Sequence, residues 1–151
     1  MEKNKFAAGV VPYTIIENQF YFLLGLERSN NKWSGFVGKS EIGETPQETA
    51  LREFNEETSL IFENNLQFIY SKLKSIEPVL ETTPSGNVAY IWFIHFPPHI
   101  ISMDFNQFHF NQSKIKDRHF KEKSRLQWFT LSQIRNGPIL NCLKQTILRT
   151  F

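Results

Sequence analysis

Three glutamates, Glu53, Glu56 and Glu57, stand at i, i+3 and i+4 within the stretch GKSEIGETPQETALREFNEETSL from Gly38 to Leu60. On a helix that spacing brings their carboxylates onto one flank. Three anions held together repel one another unless a cation sits among them, and hard oxygen donors suit Mg²⁺ or Mn²⁺. No Cys lies nearby, which argues against zinc. Arg52 adjoins the carboxylates and Glu44 precedes it at the head of the same stretch. Glycines at 35, 38 and 43 allow a tight loop whose backbone can approach a ligand or metal. The plainer reading of these glutamates is a solvated acidic helix face paired with Lys or Arg; their surroundings favour the metal.

The elements that must position this cluster follow from local signals. Thr45 can cap a helix, Pro46 fits its first position, and Glu48 complements the positive end of the dipole. Ala50, Leu51, Phe54 and Thr58 give that helix an inward stripe. Before it, Phe6 to Ile16 and Gln19 to Leu26 read as strands joined by a turn at Glu17-Asn18, with Pro12 placing the first at an edge or bulge. Residues 27–32 form a polar loop, and Trp33 to Val37 lead into the glycine loop. Leu66 to Ser75 and Asn87 to Phe96 read as further strands, the latter apolar enough to be buried on both faces. Glu77 to Gly86, with Pro78, Pro84 and Gly86, reads as a loop. His95 reads as a core or strand-edge histidine rather than a catalytic one. Pro97-Pro98 stops its strand. Leu126 to Thr130 is the last short strand, and Gly137-Pro138 opens a final helix with Leu140, Leu143, Ile147 and Phe151 on one face.

A chain of 151 residues suits one domain with a real core, and 15 phenylalanines imply an aromatic interior. Lys plus Arg number 17 against 15 Asp plus Glu, too even a balance to argue for or against nucleic acid. The single Cys142 excludes an internal disulfide and fits a reducing compartment. Residues Met1 to Lys5 are not followed by the apolar core of a signal peptide, and no apolar run is long enough to span a bilayer. The expectation is a cytoplasmic chain away from membranes, its oligomeric state open. The least ordinary segment is an insertion at about 100–125. It holds Phe105, Phe108, Phe110 and Phe120 among Lys114, Lys116, Arg118, His119, Lys121, Lys123 and Arg125. Such aromatics can stack on bases while the cations meet phosphates, or they can simply anchor a charged loop to the core.

Gly38, Glu44, Arg52, Glu53, Phe54, Glu56, Glu57 and Leu60 match the Nudix box, G-x5-E-x7-R-E-U-x-E-E-x-G-U, where U is a bulky apolar residue. Only Ser59 departs, standing where the family has glycine. The chain is therefore identified as resembling the Nudix hydrolases, and WFTLSQI near Trp128 is similar to a common ending of their domains. The resemblance implies an α/β fold, an α/β/α sandwich with a mixed sheet, over residues 1–151 as one domain. It also implies hydrolysis of a pyrophosphate bond in a nucleoside diphosphate-linked substrate. By the same resemblance Glu53, Glu56 and Glu57 are metal ligands, joined by the backbone at Gly38, while Arg52 orients the glutamates and Glu44 fixes the loop against the helix. Glu122, six residues before Trp128, is the outside candidate for general base, with Glu77 and Glu81 behind it. Lys39, Lys114, Lys116 and Arg118 are the candidates for substrate phosphates. The segment WSGFVGK is close to a variant in enzymes that hydrolyse oxidised purine nucleotides, a short match of little weight. Three functions follow: hydrolysis of a small or modified nucleotide, removal of an mRNA cap, and a catalytically silent nucleotide- or RNA-binding module. The first leads.

Overall fold

The computed structural model describes residues 5–83 and 85–151; Met1 to Asn4, part of the expected non-signal start, and the loop proline Pro84 lie outside the described residues. The chain opens with a long hairpin, β1 (Phe6–Ile16) and β2 (Gln19–Glu27). Glu17 and Asn18 both adopt positive φ, 51° and 64°, the geometry of a two-residue turn whose twist matches the strands it joins. Short strands β3 (Trp33–Ser34) and β4 (Phe36–Lys39) follow, then helix α1 (Pro46–Glu57) and helix α2 (Leu66–Ser75). Strands β5 (Val79–Thr82) and β6 (Val88–His95) form a second hairpin. After helix α3 (Asn106–Lys114) come β7 (Lys123–Thr130) and helices α4 (Leu131–Asn136) and α5 (Asn141–Thr150).

The strands form one mixed sheet in the order β3-β2-β1-β6-β5, with β4 added to β1 and β7 to β2. Only β1 and β6 pair in parallel among these strands. Ala8, Val10, Leu23, Phe36, Trp92 and Ile94 face one way and are covered by Ala50 and Phe54 of α1 and Ile69 and Leu73 of α2. Ala7, Val11, Phe22, Leu24, Ile91 and Phe93 face the other way, under Ile134 of α4 and Leu143 and Ile147 of α5. Helices on both faces of a mixed sheet make the expected α/β/α sandwich. Among the described residues no helix is long and apolar enough to cross a membrane.

Several expectations are corrected. Leu66 to Ser75 is helical, not a strand: Ile69 and Leu73 point inward four residues apart, and the aromatic and β-branched run FIY masks that period. β1 is no edge strand. Pro12 falls where β1 leaves β4, after Val10↔Phe36, and takes up β2 at Tyr13↔Phe22, so its missing N–H interrupts no ladder on that side. Four of the ten residues expected as a loop before β6 form strand β5, lying along the sheet edge. The last helix begins at Asn141 rather than at Gly137-Pro138, because residues 138–140 run beside β3: Trp33 N–H donates to Pro138 O and Leu140 N–H to Trp33 O. The insertion is ordered by α3 and two 3-10 turns, Pro98–Ser102 and Arg118–Lys121. Phe108 is fully buried and Phe105 packs on the core; Phe110 stands exposed. His95 lies exposed at a strand end, stacked on Tyr13 at 5.1 Å between ring centroids.

Candidate active site

Helix α1 is built to aim its flank. Thr45 caps it reciprocally, its hydroxyl accepting from Glu48 N–H while the Glu48 carboxylate accepts from Thr45 N–H. Phe54 wedges between Phe36 and Phe62, setting the helix against the sheet. At its start Glu44 accepts from Glu41 N–H (2.8 Å), Thr49 Oγ1 (2.7 Å) and Arg52 Nε (2.7 Å). Hydrogen bonds from Arg52 are the main reason the Glu44 carboxyl falls from the ordinary 4.5 to about 2. Arg52 also donates to Glu53 Oε1 (2.9 Å), Glu56 Oε1 (3.3 Å) and Lys39 O (2.9 Å). One guanidinium thus ties the glycine loop, the helix start and two carboxylates into a single frame.

Within that frame Glu53 lies against Gly38. A Cβ on Gly38 would fall 2.1 Å from the Glu53 carboxyl carbon, so only glycine lets the strand approach. Oxygens of Glu53, Glu57 and Glu122 lie within 4.8 Å of one another. Glu57 is 1% exposed, and both its carboxylate oxygens lack a hydrogen-bond partner. Burial raises its pKa, opposed by the charge of Lys123 and reinforced by Glu53. Burial and Glu53 likewise raise Glu56 and Glu122. A buried carboxylate without donors, facing two more, is a set of hard oxygen ligands that a divalent cation would satisfy. The residues fit such an ion.

The structure brings Glu122 into the cluster from the far end of the insertion. Glu56 is turned to Arg52 and is not one of the three converging carboxylates. A cavity of about 770 Å³ opens beside them, and Gly38, Lys39, Arg52, Glu53 and Glu122 are among its lining residues. Small and aliphatic side chains of the sheet, among them Ala7, Val37, Ala89 and Ile91, line it too. Glu81 also lines it; Glu77 does not. Of the candidate phosphate-binding residues only Lys39 lies there. Lys114 sits over the Phe110 ring at a second, smaller hollow, and Lys116 and Arg118 stand exposed outside both.

The family model for the NUDIX domain matches residues 5–147. The chain belongs to this family. It is 38% identical over 66 residues to the uncharacterized protein L534 of Acanthamoeba polyphaga mimivirus, an overlap of 40% of this chain and only 21% of that protein. Among solved structures it resembles a mutT/nudix family protein from Listeria innocua (TM-score 0.58, 14% identity, 99% of this chain and 95% of that one). A C. elegans Ap4A hydrolase in a binary complex gives a TM-score of 0.57 at 18% identity, covering 97% and 98% of the two chains. The NUDIX domain of Shewanella oneidensis NrtR, complexed with ADP ribose, gives 0.58 at 16% identity, covering 99% and 87%.

Two residues of this NUDIX domain escaped the sequence as site residues. His119 lines the cavity with its Nδ1 against Asp117 Oδ1 at 2.9 Å, a bond that raises its pKa. Lys123 lies behind Glu57, 2% exposed, its Nζ 3.7 Å from Glu57 Oε1. Both had counted only as charges of the insertion. No spacing signal marks Lys123, because its partners lie on β2, β3, the loop after β3, and α1. Ser59, the one departure from the box, takes the left-handed conformation (φ 51°) a glycine would take. Its hydroxyl donates to Phe120 O (3.1 Å), and its carbonyl accepts from Asn111 Nδ2 (2.6 Å). These bonds offset the strain and fasten the end of α1 to the insertion.

Proposed function

We propose that this chain hydrolyses the pyrophosphate bond of a small nucleoside diphosphate-linked compound, with a divalent cation, Mg²⁺ or Mn²⁺, held by Glu53, Glu57 and Glu122. The observation that carries the reading is the convergence of three carboxylates within 4.8 Å, two of them, Glu53 and Glu122, lining a cavity of about 770 Å³. That volume is within the range of small-ligand sites, and its lining combines charged groups suited to phosphates with apolar surface suited to a base. The cation, when bound, neutralises phosphate oxygens and acidifies the attacking water.

The chain's own groups do the rest. Arg52 holds Glu53 and Glu56 in fixed orientations and itself stays cationic, its pKa raised mainly by the bonds to Glu44. Gly38 leaves Glu53 the room to lie against the strand. Lys39 and Glu122 line the cavity, where Lys39 would meet a phosphate and Glu122 would receive the proton of the attacking water. The small-nucleotide reading gains support from the fold's likeness to structures titled for ADP ribose and Ap4A. Cap removal on a long RNA ranks behind it, since Lys114, Lys116 and Arg118 do not line the cavity.

A panel of mononucleotides, dinucleoside polyphosphates, nucleotide sugars and capped RNA, assayed with Mg²⁺, with Mn²⁺ and after chelation, tests this. Metal-dependent turnover of at least one small nucleotide is expected. Tight nucleotide binding without turnover under every metal condition would leave the silent module as the correct reading.

A further inference from the structure

We propose that Lys123 is the resident counter-ion of the carboxylate cluster, a positioning residue that holds Glu57 in place before any metal arrives and weakens the pull of the site on divalent ions. The inference rests on the metal site proposed above.

A lysine buried to 2% exposure needs a socket, and this one has it. The ammonium donates to Ser34 Oγ (2.5 Å) and Gly35 O (2.9 Å). It lies 5.7 Å from the centre of the Phe36 ring. Two acceptors leave the charge directed at carboxylates: Glu57 Oε1 at 3.7 Å and Glu27 Oε2 at 3.9 Å. The stem passes across β2 at Gly25, where a Cβ would come within 2.7 Å of Lys123 Cδ. At the other end the Lys123 carbonyl accepts from Gln112 Nε2 (2.5 Å), which fixes the backbone from which the side chain departs.

The consequence is electrostatic. Glu57 has no hydrogen-bond donor on either oxygen and stands buried beside Glu53 and Glu122; Arg52 is bonded to Glu53, and Lys123 is the cation that faces Glu57 itself. A divalent ion entering the cluster therefore meets three carboxylates with Lys123 behind Glu57 and Arg52 beside Glu53, not three carboxylates alone. A lysine kept merely to fill space would have no such effect on metal affinity.

Lys123→Met tests the difference, since methionine keeps much of the stem and removes the charge. Melting temperatures with and without Mg²⁺, and Mn²⁺ affinity by calorimetry, are compared with the unaltered protein. The variant should melt lower without metal and bind Mn²⁺ about tenfold tighter, the order of one unit charge acting on a divalent ion across a few ångströms of wet site. Saturating Mg²⁺ should raise its melting temperature by about 3–6 °C more than it raises that of the unaltered protein. A metal effect no larger than in the unaltered protein would overturn the proposal. The double variant Lys123→Met/Glu57→Gln covers the case in which the single variant does not fold. With the carboxylate neutralised, metal-free stability should recover relative to Lys123→Met, and no recovery would refute the pairing. This metal-free arm stands apart from the functional reading: an unaltered protein that binds no Mn²⁺ overturns the metal site, while the double variant still decides the counter-ion.

Discussion

The two walls of the active site are held by different means. On the α1 wall the frame is mostly local: Thr45 to Glu48 is three residues, and Arg52 reaches Glu44, Glu53 and Glu56 across eight, one and four. On the opposite wall, the insertion's end is fastened by partners far away in the chain. Ser59 reaches Phe120 across 61 residues, Arg28 reaches Lys121 O across 93, and Lys123 reaches Ser34 across 89. The first wall brings Glu53 and Glu57; the second brings Glu122 and the buried cation. The first wall therefore rests mainly on bonds within one helix and its preceding loop, whereas the second depends on bonds across the assembled sheet.

The comparison breaks most visibly at Glu57. Glu57→Gln keeps the side chain's volume and removes one anionic ligand, so turnover should fall by at least about 100-fold, more than the loss of a supporting partner causes. Near-normal turnover of the folded variant at limiting Mg²⁺, measured by phosphate or nucleotide release, would remove Glu57 from the site. Arg52→Lys should follow, at roughly 10–100-fold, because a single ammonium cannot reproduce the forked contacts to Glu44, Glu53 and Lys39 O. Added Mg²⁺ should recover part of that loss and little of the loss at Glu57.

The local frame also leaves a signature in acid. Glu44 titrates at about 2 in the folded chain against an ordinary 4.5, so the unfolded chain binds the proton first as pH falls. Its contribution to stability is whole above about 4.5 and is lost on the way down to about 2. Glu44→Gln should therefore lower the melting temperature near pH 6 and make little difference near pH 2. An equal drop at both would show that Glu44 acts through packing and not through its charge.

This division also explains what could be read in advance. The α1 wall was legible because its residues are neighbours in sequence: a capping threonine, glutamates at helical spacing, Arg52 beside them. The hairpin of β1 and β2 and the buried strand β6 were legible for the same reason. Helix α2 was misread because a ten-residue run carries too few turns to separate its period from a strand's. Strand β5, four residues long between prolines and a glycine, has meaning only against β6. Glu122 could be proposed only by resemblance, from its distance to Trp128. Lys123 looked like one more surface charge, because the acceptors that bury it come from Ser34 and Gly35.

A smaller effect is expected at the seam between the walls. Ser59→Ala keeps the left-handed backbone and loses the bond to Phe120 O, so stability should drop by about 1–2 kcal/mol. Ser59→Gly loses the same bond but relieves the strained conformation, and should stay within about 1 kcal/mol of the unaltered protein. Urea denaturation separates the two. A glycine variant no more stable than the alanine variant would mean that the left-handed backbone at this position carries no strain for glycine to relieve.

The smallest effect is expected where the insertion turns away from the cavity. Replacing Lys114, Lys116, Arg118 and Lys121 with alanine removes four positive charges, while Glu122 and Lys123 keep their hydrogen-bonded backbone. Arg28 and Gln112 bind the carbonyls of Lys121, Phe120 and Lys123, not the side chains removed. None of the four cations lines the large cavity, so a mononucleotide bound there should turn over within about twofold of normal. A long RNA would respond differently. Each lysine or arginine meeting a phosphate displaces bound counterions, so the quadruple variant would bind capped RNA less tightly and with a flatter dependence on salt. Efficient cleavage of capped RNA by the unaltered protein, weak cleavage of every mononucleotide, and selective loss in the variant would together make the insertion's outer surface part of the substrate path. With a small nucleotide as substrate, the long-range wall acts on catalysis through Glu122 and Lys123 and leaves its outer charges to solvent.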